Sequence, residues 1–173
     1  MNLDALLLEA TDLLDQLSCR WALVGGLALG AHGIARLTSD VDLAVDGTRQ
    51  DAVVEALAAA GFETLHRSKG YSNHQRGQDR IDLIHVRGST ADQLFGGAVE
   101  RPGPQGRTVR VVRAEHLAAM KILAMKNDPD RELQELADLR EILRLPSIDH
   151  DEIAAQFERH GLQETYQALL TRL

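Results

Sequence analysis

An apolar run, Trp21-Ala22-Leu23-Val24, stops at two glycines, Gly25-Gly26, and 13 residues later Asp40-Val41-Asp42-Leu43 opens a stretch that alternates as far as Asp46. No other feature of the 173-residue chain constrains its fold as much. The first run predicts a short buried strand, and the glycine pair predicts a tight turn after it. The alternation predicts a strand over residues 40–46, because a period of two sends Val41, Leu43 and Val45 to one face and Asp40, Asp42 and Asp46 to the other. Asp40 and Asp42 then stand on the same side, about 6.6 Å apart along the chain. Both can reach one Mg²⁺ (or Mn²⁺), or bridge two ions; such hard cations are held by one or two carboxylates plus substrate phosphates. Gly25 and Gly26, without Cβ atoms and just before a helix, allow the backbone close to a phosphate. Metal and phosphate cradle together make a site for a nucleoside triphosphate (NTP).

The remaining elements frame that site. Leucines near helical spacing predict an amphipathic helix over residues 3–17. A short helix over 27–34 closes near Gly33, and another over 48–60 ends at Gly61. Strands are expected over 62–67, 71–76, 80–86 and 108–112, with a loop over 101–106. Asp82 lies mid-strand in Arg80-Ile81-Asp82; if its strand lies beside that of Asp40 and Asp42, three carboxylates share one surface. Two would fix the metal, and the third would help bind a second metal or take a proton from an attacking hydroxyl. From Ala114 the pattern turns helical, over 115–126, 131–143, 149–160 and 162–173. The expected fold class is α/β (α+β): a small mixed sheet carrying the carboxylates in residues 1–113, and a C-terminal helical bundle in 114–173 that closes the cleft.

Composition narrows the function. A 44% hydrophobic and 26% charged chain is that of an ordinary globular protein. No apolar run approaches the roughly 18 residues of a membrane span. The N-terminus has no basic region or cleavage site, and one cysteine, Cys19, allows no internal disulfide; a cytoplasmic location is expected. The net charge of −7 argues against tight non-specific binding along nucleic acid. Basic residues nonetheless gather at Arg67, Lys69, Arg76, Arg107 and Arg110, the candidates for contacting an RNA. His32, His66, His74 and His85 make no metal-binding spacing and are read as structural or solvated.

The Gly-Gly, the gap and Asp-Val-Asp resemble the signature of the polymerase-β-type nucleotidyltransferase superfamily. The run from Leu23-Val24-Gly25-Gly26 through His32-Gly33-Ile34-Ala35-Arg36-Leu37-Thr38-Ser39-Asp40-Val41-Asp42-Leu43 resembles more narrowly the AbiEii-like branch, which includes nucleotidyltransferase toxins of toxin–antitoxin systems. Arg80-Ile81-Asp82 matches that branch's second motif, Lys121 its third, and Asp138-Leu139 its last acid; Gln134-Glu135 departs from the Lys-Asp that many relatives carry. The resemblance implies Asp40, Asp42 and Asp82 as catalytic and metal-holding residues, Gly25, Gly26, Arg36, Ser39 and Lys121 as nucleotide and phosphate contacts, and transfer of a nucleotide from an NTP to a hydroxyl of tRNA or a protein. The alternatives are a small hydroxylated acceptor such as an antibiotic, and a non-catalytic, antitoxin-like nucleotide-binding partner. The sequence leaves the oligomeric state open.

Overall fold

The computed structural model describes residues 2–171 and 173. The leucine-rich start forms α1 (Leu3–Gln16), whose first turn is capped by the Asn2 side chain accepting from the Ala5 amide. There follow β1 (Trp21–Leu23), α2 (Gly25–Ala31), β2 (Val41–Asp46) and, after a short 3-10 turn over Gly47–Arg49, α3 (Gln50–Ala59). Three strands come next, β3 (Glu63–Arg67), β4 (Tyr71–Arg76) and β5 (Asp79–Val86), joined by tight turns. Then come α4 (Gly88–Gly96), β6 (Val99–Pro102) and β7 (Thr108–Val111). The seven strands make one mixed sheet in the order β3-β4-β5-β2-β1-β7-β6, with β2 at its centre.

Two features here escape the sequence reading. Residues 88–96 form a helix, although only Ala91 and Leu94 of it are buried, too few to give a readable period. The expected loop over 101–106 begins as strand: Glu100 and Arg101 pair with Arg110 and Val109, and Pro102 ends β6 at the sheet's edge. Proline is tolerated there because an edge strand has one side with no ladder to donate to.

The alternation in β2 decides what the sheet buries. Val41, Leu43 and Val45 are fully enclosed, as are Ile81 and Leu83 on the parallel neighbour β5. Ala10, Leu13 and Leu14 of α1 and Val53 and Leu57 of α3 gather against Leu43, Ile81 and Leu83. Each fully buried Val, Leu or Ile among them contributes about 1.5–3 kcal/mol by leaving water. This core fixes the register, since a slip of one residue would turn Val41, Leu43 and Val45 away from it. The chain divides after Val112, and Arg113 begins a second, all-helical unit with α5 (Ala114–Asn127), α6 (Glu132–Leu143), α7 (His150–Arg159) and α8 (Gln163–Leu170). Leu117, Ile122, Leu139, Ile142, Ile153 and Phe157 are among its fully buried side chains. No helix among the described residues is long and apolar enough to cross a membrane.

On the same face of β4 and β5 as the core lies a buried polar chain. Thr64 Oγ1 meets His74 Nδ1 at 3.1 Å, His74 Nε2 meets Ser72 Oγ at 2.8 Å, and Ser72 Oγ meets His85 Nε2 at 2.8 Å. Burial pushes the His85 imidazole down to about 4, with Arg87 adding to the shift, and burial likewise holds His74 below its ordinary value. The unfolded chain therefore binds protons that the folded chain refuses, so stability is complete above the unfolded value of about 6.5 and falls as pH drops toward about 4. Urea unfolding is expected to show a loss of roughly 1–2 kcal/mol from His85 between about pH 7.5 and about pH 5. A His85→Gln variant should lose measurably less over that interval; an equal loss would remove His85 from the account.

Candidate active site

Asp42 and Asp82 are direct partners in the parallel pairing of β2 and β5. Asp40 lies just before β2, so that two strands and the turn leading into one of them bring three carboxylates together on the face opposite the core. One oxygen from each of Asp40, Asp42 and Asp82 lies within 4.8 Å of the other two. Three hard oxygen donors at that spacing fit a Mg²⁺ or Mn²⁺ ion.

Like charges this close repel, and the surrounding donors answer that repulsion. Thr38 Oγ1 donates to Asp40 Oδ1 at 2.5 Å. Asn73, opposite Asp82 on the antiparallel neighbour β4, donates from Nδ2 to Asp82 Oδ1. Arg80, two residues before Asp82 and on its face, donates from Nε to Oδ1 and from Nη2 to Oδ2, each at 3.2 Å. Tyr71 also borders this carboxylate: burial, and then the hydrogen bond to Asp82 and its charge, push the phenol up to about 12, so it stays protonated near neutral pH.

The glycine pair lies where β1 passes into α2. Gly25 has φ +63°, and a Cβ built on it would fall 1.9 Å from Asp42 Oδ2. A Cβ on Gly26 would meet the Thr38 side chain at 2.7 Å. The glycines thus make room for Asp42 and for the loop before β2, in addition to leaving backbone open to a ligand. That loop holds the other two phosphate candidates: Ser39 is exposed, and Arg36 is half-buried with Nη1 donating to the Leu37 carbonyl at 3.3 Å. Leu37 beside them is 94% exposed.

Lys121 belongs to α5 in the helical unit, and there the structure adds something the sequence did not suggest. Its Nζ donates to Glu135 Oε2 at 2.9 Å and to Asp138 Oδ2 at 2.6 Å, and Arg131 pairs with Glu135 at 2.6 Å. Glu135 is 1% exposed. The Gln134-Glu135 departure therefore places a carboxylate on Lys121 itself. Asn73 and Tyr71 were also missed. The alternation Tyr71, Asn73, Gln75 was a visible signal of a shared face, but nothing in the sequence says that this face meets Asp82.

Two substitutions test this geometry. Gly25→Ala forces a non-glycine residue to positive φ, at about 1 kcal/mol or more, and drives a methyl into Asp42. It should lower the melting temperature and abolish metal-dependent stabilisation by ATP; a variant that keeps that stabilisation would show that Asp42 does not need its present position. Lys121→Met leaves Glu135 and Asp138 buried without their ammonium, which typically costs about 3–5 kcal/mol. Urea unfolding should show a loss of that order, whereas a loss under about 1 kcal/mol, the range of exposed pairs, would contradict the buried cluster.

The family profile of the aminoglycoside-2''-adenylyltransferases matches residues 6–118, a span that holds both glycines and all three carboxylates. No match was found among curated proteins. Among solved structures, the chain is similar to the antibiotic-resistance factor ANT(2'')-Ia in solution, at 18% identity and a TM-score of 0.71 over 97% of this chain and 95% of that one. A crystal structure of ANT(2'')-Ia in complex with adenylyl-2''-tobramycin gives 15% identity and a TM-score of 0.66 over 99% of both chains. The lincosamide antibiotic adenylyltransferase LnuA, bound to lincomycin, gives 14% identity and a TM-score of 0.56 over 82% of this chain and 97% of that one. At such identities the structural likeness establishes the nucleotidyltransferase fold; with the profile covering most of the chain, this protein belongs to the aminoglycoside-2''-adenylyltransferase family and is a nucleotidyltransferase.

Proposed function

We propose that the chain transfers AMP from ATP to a hydroxyl of a small, amine-rich sugar antibiotic of the aminoglycoside class, using Mg²⁺ (or Mn²⁺). The observation that carries this reading is the in-register pair Asp42–Asp82 with Asp40 beside it, within the span matched by the family profile. Asp40 and Asp42 hold the metal, and Asp82 completes the donor set and accepts the proton of the attacking hydroxyl. Bound there, the ion would neutralise the triphosphate and the charge that develops on the leaving pyrophosphate. The acceptor oxygen bonds to the α-phosphorus, the bond to the bridging oxygen of the β-phosphate breaks, and pyrophosphate leaves. Gly25 and Gly26 supply backbone close to the phosphates, and Ser39 and Arg36 contact them from the loop before β2. Lys121 carries no part of this scheme, because its ammonium is already engaged by Glu135 and Asp138 of its own unit. Most of the rate enhancement in this scheme comes from holding reactants in line and matching charge.

Electrostatics favour the small acceptor over RNA. An acidic chain, with a net charge of −7, attracts a polyamine and repels a polyphosphate. The arginines best placed to offset that charge are already engaged. Arg67 pairs with Asp51, Arg107 with Asp12 at 2.5 Å, and Arg76 with both oxygens of Glu9 at 2.7 Å. Arg110 lies over the Trp21 ring, 5.7 Å from its centroid. We therefore place the tRNA- or protein-modifying, AbiEii-like reading second.

Incubation with α-labelled ATP, Mg²⁺ and either tobramycin or total tRNA distinguishes the two, with label expected on tobramycin. Label on RNA alone would overturn the acceptor assignment. In the same assay Asp82→Asn should lose about 10²–10⁴ in kcat while binding ATP within a few fold. Asp40→Asn combined with Asp42→Asn should abolish the metal-dependent thermal shift given by ATP.

A further inference from the structure

The donors on Asp82 differ in kind. Asn73 is 7% exposed, sits directly across the β4–β5 pairing, and donates to Oδ1. Arg80 reaches the carboxylate through bonds of 3.2 Å from a side chain that is 49% exposed. A carboxylate presents about four lone-pair positions. On Oδ1, Asn73 and the Arg80 Nε together meet two of them; on Oδ2 the Arg80 Nη2 donates, and the Tyr71 phenol adds a further hydrogen bond to the carboxylate.

We propose that Asn73 is the positioning residue of the reaction: it anchors Asp82 by Oδ1 and leaves Oδ2 as the oxygen that works. The inference rests on the role given to Asp82 above. Three physical arguments support it. The terminal torsion of an aspartate is broad, so a carboxylate with no fixed neighbour swings between orientations. A general base has to sit within about 2.6–3.2 Å of the proton that it removes. And the donor is neutral: Arg80 already offsets part of the charge on Asp82, and an amide at position 73 restrains the carboxylate without adding a second positive charge. The backbone register holds Asn73 in place whether or not a ligand is present, so Asp82 is preorganised before the substrates arrive.

Asn73→Leu removes the donor while keeping the branching of the side chain. With ATP and tobramycin, kcat should fall roughly 10–100-fold while KM for ATP stays within about threefold, the pattern of a group whose effect is confined to the transition state. An unchanged kcat, or a loss of folding stability and a rise in KM that account for the whole effect, would overturn the role of Asn73. Asp82→Asn is measured alongside. If it retains full kcat, the reading of Asp82 itself falls; if it is inactive while Asn73→Leu is not, only the inference about Asn73 falls. A second readout needs neither turnover nor a folded Asn73 variant. In nitrogen-labelled wild-type protein, one side-chain amide proton of Asn73 should resonate well downfield of its geminal partner and move upfield in Asp82→Asn. An ordinary amide pair that is insensitive to Asp82→Asn would show that the anchoring bond is absent in solution.

Discussion

The pairing of Asp42 with Asp82 across two parallel strands is the contact on which the rest of the site depends. Carboxylates directly opposite one another on a sheet repel, and that pairing would be avoided if only the local side chains were at stake. It persists because the other face of the same strands is locked: Val41, Leu43 and Val45 of β2 and Ile81 and Leu83 of β5 are enclosed beneath α1 and α3. Relieving the repulsion by a one-residue slip would bring this whole set out of the core. Apolar burial therefore stabilises an electrostatically unfavourable surface, and the divalent cation proposed to bind there would turn that surface into a favourable one. The glycines belong to the same arrangement, since at position 25 any side chain would occupy the space of the Asp42 carboxylate.

The centre of this arrangement was legible in the sequence because it is local. Gly25-Gly26, Asp40 and Asp42 lie within one strand–turn–helix–strand passage, and the period of two around Asp42 tells which side each residue takes. Asp82 was legible as a carboxylate in a strand, although its position beside Asp42 depends on strand order, which no local pattern encodes. Asn73 was not legible for the same reason: it is one polar residue among several in β4, and its importance comes from a register shared with Asp82. The helix over 88–96 and the strand over 99–102 were missed because they bury too few side chains to print a period on the sequence. The narrower family resemblance went further than its residues supported. Arg80-Ile81-Asp82 and Lys121 fit a toxin-like pattern, but a basic residue near an acid and a lysine on a helix are short patterns with little specificity, and the profile match lies with the aminoglycoside-2''-adenylyltransferases.

Charge in this protein is organised by pairing, which net counts conceal. Arginines that look like an RNA-binding cluster in the sequence are partners for Glu9, Asp12 and Asp51. Lys121, a phosphate candidate by position, is the counter-ion for two buried carboxylates of its own unit. Asp82 is surrounded by donors and remains the carboxylate with a neutral, buried amide fixed against it. The surplus over the whole chain is acidic, at −7, which is the charge that the proposed cationic acceptor would meet.

Crystals grown with Mn²⁺ and a non-hydrolysable ATP analogue would test the central claim most directly, through the anomalous signal of the metal. The account predicts a manganese peak bound by oxygens of Asp40 and Asp42, with the triphosphate on its open side and Asp82 in contact with the same site. A peak held elsewhere, or a triphosphate bound away from these carboxylates, would contradict it.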